Sequence, residues 1–294
     1  MHELLTTDEA ATYLRLSERK LYELVAEGAV PCSKVTGRWL FPKAALDRWV
    51  ATGLAQLQFA RAAPPPIVGG SHDPLLEWAL RDSGAGLASL PEGSESGLRR
   101  LARGEVAIAA IHLHRIDDAT ADANVDAIKA SPGLHDAVLI AFARREQGLL
   151  VPRGNPLGLA DMRSVAAKTA RMAQRPAGAG AQLLLLALLS ASQLTPDALT
   201  LVKDVCPTGN DVAQTIRAGR ADCGIATRAV AASAGLDFLP LIWESFDLVL
   251  RQRDYFLDEP QKLMNFMRSG AFAAQARELG GYDIAQAGQV RLVN

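Results

Sequence analysis

The apolar positions near the start of the chain fall into two short helical patterns joined by a tight turn. Thr6 and Glu9 form a capping-box pattern ahead of apolar positions at helical spacing. A second helix is predicted to begin at Ser17, whose hydroxyl can cap its first turn, and to end near Gly28. Two short helices joined at residues 15–17 have helix-turn-helix geometry.

A hairpin and a third helix are predicted after this helix pair. Residues 34–35 and 38–41 have the composition of short strands, and Thr36-Gly37 suits the turn between them. Pro42 suits the first turn of a third helix over Lys43–Val50. The hairpin is therefore a candidate wing beside the helix pair.

From Ile67 onward, short apolar segments alternate with helical patterns, which predicts an α/β domain with a largely parallel sheet. The predicted strands are 67–70, 87–90, 106–113, a segment beginning at 149, 221–225, 239–243 and 246–250. One predicted helix begins at Asp73-Pro74 and runs to about Arg81, and a second begins after residues 93–97 and ends at Arg103. Three more are predicted at 183–189, 213–220 and 259–279. Asn210-Asp211 is predicted to precede the helix at 213–220.

A run of three prolines at 64–66 marks the join between these two regions, because such a run favours a stiff extended spacer. We therefore expect a winged helix-turn-helix domain at 1–52, a linker at 53–66 and a larger domain at 67–294. The third helix could continue to Ala60. Three apolar residues there would serve either dimerisation or packing onto the small domain, and they are Leu54, Leu57 and Phe59.

Composition limits the function classes. The 294 residues are 49% hydrophobic and 21% charged, which is typical of a globular protein. The formal net charge is −1, so contact with nucleic acid needs a local basic patch. Residues 15–48 supply one, consisting of Arg15, Arg19, Lys20, Lys34, Arg38, Lys43 and Arg48.

The cysteines and the apolar segments exclude other classes. Cys32, Cys206 and Cys223 are far apart and have no spacing typical of a metal site, so we expect no metal, no cofactor and a reducing compartment. The N-terminus does not have the pattern of a secretory signal. No segment approaches the ~18 continuous apolar residues of a membrane span, so we expect a cytoplasmic protein without a membrane partner.

The N-terminal residues resemble the winged helix-turn-helix of excisionase and MerR-type regulators. The matching positions are Leu5–Ala11, Leu14, Leu16-Ser17, Leu21-Tyr22, Glu27-Gly28, Pro31, Lys34-Val35, Arg38-Trp39, Phe41, Leu46 and Trp49. The resemblance implies a second helix in the major groove of duplex DNA and a wing along the adjacent backbone. Candidate DNA-binding residues are Ser17, Arg19, Lys20, Tyr22, Lys34, Arg38 and Trp39. The alternative is a small helical module whose solvated charges serve protein contact.

Small polar residues follow the predicted strands of the larger domain. Ligands of open α/β sheets bind beyond the carboxyl ends of the strands, where helix N-termini attract anions. The candidate ligand-binding residues at these ends are Ser71, His72, Ser94, Ser96 and His112.

The larger domain is similar to periplasmic binding proteins, in particular to the molybdate- and tungstate-binding type that occurs as a sensor fused to helix-turn-helix modules. The carriers of this resemblance are His112-Leu113, Leu150–Leu157, Gln174 with Gly178 and Gly180, Ala218–Gly224 and Leu236–Leu241. The resemblance implies two lobes, about 67–142 with 246–294 and about 143–245, and a ligand in the cleft between them. Crossing strands are expected near 138–144 and 246–250. Further candidate ligand residues are Gly178, Ala179, Gly180, Asn210 and Asp211.

The glycine loop departs from the family pattern. The family has Gly-Ser-Gly-Thr-Arg, whereas this chain has Gly178-Ala179-Gly180-Ala181-Gln182, which lacks two hydroxyls and the Arg. Backbone N–H groups and the helix dipole remain in the loop, and they stabilise a bound anion by about 0.3–1 kcal/mol in exposed geometry. A ligand other than molybdate, or weaker binding, is therefore an alternative.

These patterns predict a one-component bacterial transcriptional regulator that binds double-stranded DNA and senses a small anion, either an oxyanion such as molybdate or tungstate or a small carboxylate. The chain has no nucleophile elbow, no P-loop and no paired carboxylates on one predicted wall, so we expect no enzyme activity. A single winged module buries little DNA surface, which favours a homodimer or higher oligomer. The alternative is a DNA-binding regulator whose large domain is a ligand-free oligomerisation or protein-interaction module.

Overall fold

Two units make up the fold, residues 1–62 and 63–294. The computed structural model describes residues 4–34, 37–58, 63–115 and 122–294, and of residues 52–58 it describes the backbone alone. The elements of the first unit are β1 (Leu4–Leu5), α1 (Thr7–Leu14), α2 (Glu18–Ala26), β2 (Ser33–Lys34), β3 (Trp39–Pro42) and α3 (Lys43–Gln58).

Local capping positions the two helices of the helix-turn-helix. The Thr6 side chain accepts from the backbone N–H of Glu9, and the Glu9 carboxylate accepts from the backbone N–H of Thr6, 2.8 Å away. Arg15 adopts the left-handed conformation that ends α1, and the Ser17 hydroxyl caps α2. The structure therefore has the predicted tight turn between two capped helices.

The first unit has a small core beneath a three-stranded sheet of order β1-β3-β2. Pro42 ends β3 and immediately precedes α3, which begins at Lys43 as predicted. Helix α3 continues to Gln58, so the first part of the predicted linker is helical. The predictions for Val35, Thr36 and Phe59–Ala62 lie outside the described residues. The buried core residues are Leu5, Ala10, Ala11, Leu21, Val30, Phe41 and Leu46.

The second unit has a mixed α/β order. Its strands are β4 (Ile67–Gly70), β5 (Ala88–Pro91), β6 (Ile108–Ile111), β7 (Ala137–Val151), β8 (Arg171–Gln174), β9 (Thr200–Val205), β10 (Cys223–Thr227), β11 (Asp237–Arg251), β12 (Tyr282–Asp283) and β13 (Val290–Val293). Its helices are α4 (Pro74–Asp82), α5 (Ser94–Arg103), α6 (Ala123–Ala130), α7 (Met162–Ala167), α8 (Gly180–Ala191), α9 (Gly209–Arg217), α10 (Arg228–Ala234), α11 (Asp258–Phe266) and α12 (Gly270–Leu279).

One mixed sheet of order β5-β4-β6-β11-β7-β10-β8-β9 runs through the second unit. The β5-β4-β6 and β10-β8-β9 strands are parallel, whereas the central pairs β6-β11, β11-β7 and β7-β10 are antiparallel. The expectation of a largely parallel sheet was therefore wrong at its centre. Two strands that cross between lobes in opposite directions must pair antiparallel.

Those two central strands, β7 and β11, are each 15 residues long and connect two lobes. Residues 137–144 of β7 and 247–251 of β11 belong to lobe 1, which also contains β4–β6, α4–α6, α11, α12, β12 and β13. Residues 147–151 and 237–240 belong to lobe 2, with β8–β10 and α7–α10. The sequence predicted each crossing strand as two separate pieces, because polar residues interrupt the apolar pattern at the crossing point.

Each lobe buries apolar side chains on both faces of its part of the sheet. In lobe 1 one face holds Phe142, Phe246 and Phe272, and the opposite face holds Leu101 and Ile111. Lobe 2 has a corresponding pair of clusters, one against α7 and α8 and one against α9 and α10. Each lobe is therefore a layer of sheet between two layers of helix.

Three further expectations change in the structure. The predicted helix over 259–279 is two helices, because Ser269 caps α12 and Gly270 follows it. The third strand is shorter than predicted and ends at Ile111, which leaves His112 and His114 beyond the strand. Asn210 and Asp211 lie inside the first turn of α9, whose N-cap is Thr208.

In the part of the chain that the structure describes, no helix has both the length and the apolar character needed to cross a membrane.

Asp247 on β11 provides a test of this fold. It lies 1% exposed, accepts a hydrogen bond from Asn124 at 2.7 Å and pairs with Arg291. Burial raises its pKa to about 6. Because the folded state holds this proton more tightly than the unfolded state, its contribution to stability falls as pH rises between about 4 and 6. We expect the unfolding free energy of wild type, relative to Asp247→Asn, to decrease by about 3 kcal/mol across that window.

Urea unfolding at a series of pH values measures this difference. Asp204→Asn, which removes a carboxylate at an exposed position of β9, is the matched control for the loss of one carboxylate. A difference between wild type and Asp247→Asn that stays constant with pH would contradict the burial argument.

Candidate functional site

The predicted DNA-contacting residues of α2 lie at the surface of the first unit. Arg19 and Lys20 both pair with Glu23, and their side chains are 91% and 51% exposed. Tyr22 is 48% exposed, whereas the hydroxyl of Ser17 accepts from the backbone N–H of Lys20 as the helix cap. Exposed ion pairs of this kind are weak, so both cations can exchange Glu23 for a phosphate.

The candidate wing residues meet α2 at a groove of about 370 Å³. Tyr22, Arg38 and Trp39 line this groove, together with the carboxylates of Asp8 and Glu18. The ammonium of Lys34 lies 5.1 Å from the centre of the Trp39 ring. The structure thus brings Arg38 and Trp39 together with Tyr22, while Arg19, Lys20 and Lys34 are not among the residues that line the groove.

A small cavity of about 20 Å³ lies between the lobes of the second unit. Three predicted ligand residues line it, namely Ser71, His72 and His112. A volume of this size holds about one water molecule. The other residues of the wall come from the start of α4, the crossing strands and lobe 2, and they are Pro74, Arg145, Gln147, Arg175, Gly209, Ala226, Thr227 and Val230.

Ser94 is fully buried beside this cavity but lies behind its wall. Its hydroxyl lies 2.7 Å from the hydroxyl of Ser71, donates to the His112 carbonyl and accepts from the His112 N–H at 3.1 Å. Ser94 therefore positions Ser71 and His112. Ser96, by contrast, accepts a hydrogen bond from Arg99 on the outer part of α5 and does not line the cavity.

The two candidates on α9 have other contacts. Asp211 forms a capping box with Thr208, whose N–H donates to the Asp211 carboxylate at 2.8 Å. Asn210 is exposed, and neither residue lines the cavity. The prediction grouped them with the ligand site because it placed them before the helix.

The glycine loop brings lobe 2 against lobe 1. The Gly178 carbonyl accepts from the backbone N–H of Glu95 at 3.3 Å, and Ala179 packs beside Gly93. A Cβ on Gly180 would lie 1.9 Å from the carbonyl oxygen of His112. The N-termini of α5 and α8, which have no side-chain cap, meet here. These glycines allow the close approach that keeps the lobes in contact.

A buried ionic cluster lies where β7 and β11 cross. Arg145 and Glu244 are directly opposite each other in the β7-β11 register, and the Arg145 Nε donates to the Glu244 carboxylate at 2.8 Å. Arg145 also donates to Asp73 at 2.7 Å, and its guanidinium lies 4.1 Å from the centre of the Phe246 ring. Asp73 itself caps α4, and the Tyr282 hydroxyl donates to it at 3.0 Å. Arg145 thereby joins α4, β7 and β11.

Two polar atoms in the cavity wall are buried without a partner among the described residues. They are the Nε of Arg175 and the Oε1 of Gln147. The Gln147 amide N–H donates to Glu244 at 2.9 Å, which turns its carbonyl oxygen away from that carboxylate. Arg175 donates to the Pro207 carbonyl at 2.8 Å and takes part in none of the ion pairs seen in the described chain. The cavity therefore offers one charged donor and one acceptor.

Burial shifts the protonation of the groups around this cavity. It lowers the pKa of the His112 imidazole to about 4, so the ring is neutral at neutral pH. It also lowers the pKa of the Arg175 guanidinium to about 10, which leaves this group charged. Burial opposes ionisation of Glu244, but His112 and Arg145 beside it bring its pKa well below the usual value. The cluster thus keeps its charges.

Sequence reasoning missed several residues of this site, namely Arg145, Gln147, Arg175, Thr227 and Glu244. A signal was present for three of them. Arg145 and Gln147 belong to a polar interruption in an otherwise apolar strand, and Glu244 belongs to another. A charged residue inside a buried strand indicates that it pairs with another charge or has a functional role. Arg175 lies in the glycine-loop segment, but it was not predicted as a ligand residue.

Two family models match the chain. A helix-turn-helix domain matches residues 4–53, and a PBP superfamily domain matches residues 77–268, which is more than half of the chain. The chain belongs to the PBP superfamily. Its N-terminal unit is a helix-turn-helix domain, so the chain has the organisation of a DNA-binding regulator with a ligand-binding domain.

Relatives of this PBP superfamily chain share its length or its fold. The uncharacterized protein YvgK of Bacillus subtilis (strain 168) is 25% identical, over 98% of this chain and 97% of that protein. The tungstate ABC transporter structure from Geobacter sulfurreducens has a TM-score of 0.52 at 14% identity, covering 72% of this chain and 97% of that one. A putative phosphate ABC transporter substrate-binding protein with bound phosphate from Clostridium perfringens has a TM-score of 0.54 at 10% identity, covering 72% and 96%. At these identities the two structures share the two-lobed fold.

Arg145 gives a direct test of the ionic cluster. Arg145→Met leaves two buried carboxylates without their cation, which should lower the unfolding free energy by about 3–5 kcal/mol. Arg144→Met is the matched control, because Arg144 is exposed on the same strand, and it should change stability by less than about 0.5 kcal/mol.

Chemical denaturation of the purified variants measures both effects. Adding Glu244→Gln to Arg145→Met should recover part of the loss, because one unpaired charge is removed. Equal stability of Arg145→Met and wild type would show that the cluster does not hold the crossing strands.

Proposed function

We propose that this chain is a one-component transcriptional regulator whose helix-turn-helix unit binds duplex DNA and whose interlobe cleft binds a small anion. The anion is a small oxyanion or a small carboxylate, and its binding changes the affinity for DNA. A homodimer reading two half-sites fits this role, because one small module buries little DNA surface.

The observation that carries the proposal is the state of Arg175. Its guanidinium is charged, it lines the cavity, and its Nε is buried without a partner in the described chain. A buried cation is stabilised by an anion that accepts its hydrogen bonds, and guanidinium suits carboxylates and oxyanions. The other cation of the wall, Arg145, is already neutralised by Asp73 and Glu244. Arg175 therefore takes the role of the Arg that the glycine loop lacks.

Gln147 narrows the class of anion. Its unpaired Oε1 accepts a hydrogen bond, so a ligand that satisfies both Arg175 and Gln147 is an anion that also carries an O–H group. Hydrogen phosphate and 2-hydroxycarboxylates have this chemistry, whereas sulfate and tungstate do not at neutral pH. Thr227 and His72 at the same wall add polar contacts for the remaining oxygens.

The contact between the lobes supports a closure mechanism. The cavity of about 20 Å³ is smaller than these anions, so the lobes separate for the ligand to enter. The glycine loop and the N-terminus of α5 form one part of the contact between the lobes. A ligand between them changes the balance between lobe arrangements by its difference in affinity for each. This shift between lobe arrangements would in turn change the affinity of the helix-turn-helix unit for DNA.

For DNA binding, we expect Arg19→Ala combined with Lys20→Ala to lower affinity for random-sequence 30-base-pair duplexes by at least about tenfold. Each lost phosphate contact should also reduce the salt slope by about one. Fluorescence anisotropy at several salt concentrations measures both quantities. Arg217→Ala with Arg220→Ala removes the same charge at exposed positions of the large unit and should leave DNA affinity unchanged.

If the wild-type protein shows no salt-dependent binding to these duplexes, the regulator proposal fails. The same holds if the double variant of α2 and the control variant bind equally well, because the interface would then lie elsewhere.

For the anion, we expect a thermal-shift screen to show stabilisation by hydrogen phosphate or a 2-hydroxycarboxylate such as lactate, and less by sulfate, tungstate or molybdate. At 100 times the dissociation constant a ligand adds about 2.7 kcal/mol, which is a shift of roughly 5–10 °C for a domain of this size. Arg175→Met should abolish the shift, because the charged donor is lost.

Arg171→Met is the matched control, since Arg171 is exposed on β8 and pairs with Asp222, and it should keep the full shift. Each variant is compared with itself without anion. If no anion stabilises the wild type, the closed cavity supports the second candidate function instead, a DNA-binding regulator whose large domain is a ligand-free oligomerisation or protein-interaction module.

A further inference from the structure

His112, His114 and Glu244 come together at the crossing point, beside the anion cavity. The two histidines follow β6 at a spacing of two residues, and Glu244 lies on β11, which pairs with β6. In extended chain this spacing places two side chains on the same face. The Glu244 Oε2 lies 3.1 Å from the His112 Nδ1 and 2.7 Å from the His114 Nε2.

We propose that His112, His114 and Glu244 form a binding site for a divalent transition-metal ion, with Zn²⁺ as the best fit. Two imidazoles and one carboxylate are a ligand set that Zn²⁺ takes in proteins. The three ligand atoms all lie within 4.8 Å of one another. Tetrahedral Zn²⁺ with bonds of 2.0–2.1 Å needs ligand atoms about 3.3 Å apart, so small side-chain shifts are enough.

The surroundings of Glu244 fit a metal ligand. Its other oxygen, Oε1, accepts from the Arg145 Nε at 2.8 Å and from the Gln147 amide at 2.9 Å. The His112 Nδ1 also lies 2.9 Å from Oε1, so His112 is near both oxygens of this carboxylate, whereas His114 lies 2.7 Å from Oε2. The two donors from Arg145 and Gln147 hold the carboxylate between the rings. Such outer contacts orient the ligands of protein metal sites.

Charge at the cluster also favours a cation. Asp73 and Glu244 carry two negative charges against the single positive charge of Arg145, and all three side chains are at most 2% exposed. The buried cluster is therefore left with negative charge. A divalent ion bound by Glu244 offsets this negative charge, whereas hydrogen bonds from neutral imidazoles do not.

A second cavity gives the site an entrance. It measures about 410 Å³, and His114 and Glu244 line it together with Asn124, Leu188, Trp243 and Ser245. Three protein ligands leave the fourth position of a tetrahedral ion open, and this cavity has room for water or a small anion there. The metal site shares His112 with the smaller anion cavity but does not depend on an anion being bound.

Titration of the full-length protein with Zn²⁺ tests the proposal. After dialysis against a chelator, competition with a chromogenic chelator should show one ion per chain with a dissociation constant below about 1 µM. Co²⁺ should give the visible absorption of a tetrahedral site. His114→Gln should weaken binding by at least about 100-fold, beyond the 10–100-fold that outer contacts contribute.

His135→Gln is the matched control, because His135 is exposed and away from the cluster, and it should bind as wild type does. Circular dichroism of His114→Gln, in which the ring at the edge of the cavity is replaced, checks that the variant is folded. Glu244→Gln is a second variant that removes the charged ligand while keeping an acceptor, and it should also lose tight binding. Weak wild-type binding, or equal affinity of folded His114→Gln and wild type, would overturn the metal site.

Discussion

The buried pairing of Arg145 with Asp73 and Glu244 is the interaction on which the ligand-binding unit depends. It lies at the point where β7 and β11 pass from one lobe to the other, and it ties α4 to both strands. A charge this deeply buried is tolerated because its partners are equally well placed. The same cluster orients Gln147 toward the cleft and Glu244 toward the histidines. The cavity proposed to bind an anion, the proposed metal site and the crossing strands therefore share one network.

Much of the fold could be predicted from local patterns. The capping box at Thr6, the cap at Ser17 and the alternation of apolar segments after Ile67 are short-range signals, and the structure has the elements they predict. The continuity of β7 and β11 could not be predicted in this way. Arg145 and Glu244 interrupt the apolar pattern because each pairs with the other across the two strands. Which residues face each other across a sheet depends on contacts between distant parts of the chain, so local patterns do not predict it.

The site was harder to predict for the same reason. Ser71, His72 and His112 line the cavity, and their position could be predicted because strand ends meet at one edge of a parallel arrangement. Ser94, also predicted as a ligand residue, lies behind the wall instead, and its hydrogen bonds depend on where β6 ends. Arg175 and Gln147 were missed, since one polar atom of each is left without a partner only by the arrangement of the folded chain around it. The composition of the chain and the spacing of its residues do not show which buried atoms will lack a hydrogen-bond partner.

The two crossing strands also decide the order in which the domain can assemble during synthesis. Strand β6 of lobe 1 pairs with β11, which leaves the ribosome only after the whole of lobe 2 has been made. The elements from β8 to β10 can pack as soon as they emerge, whereas lobe 1 presents an open sheet edge until late in translation. Truncation near the C-terminus should therefore harm the lobe that begins the domain, even though the missing residues are distant from it in sequence.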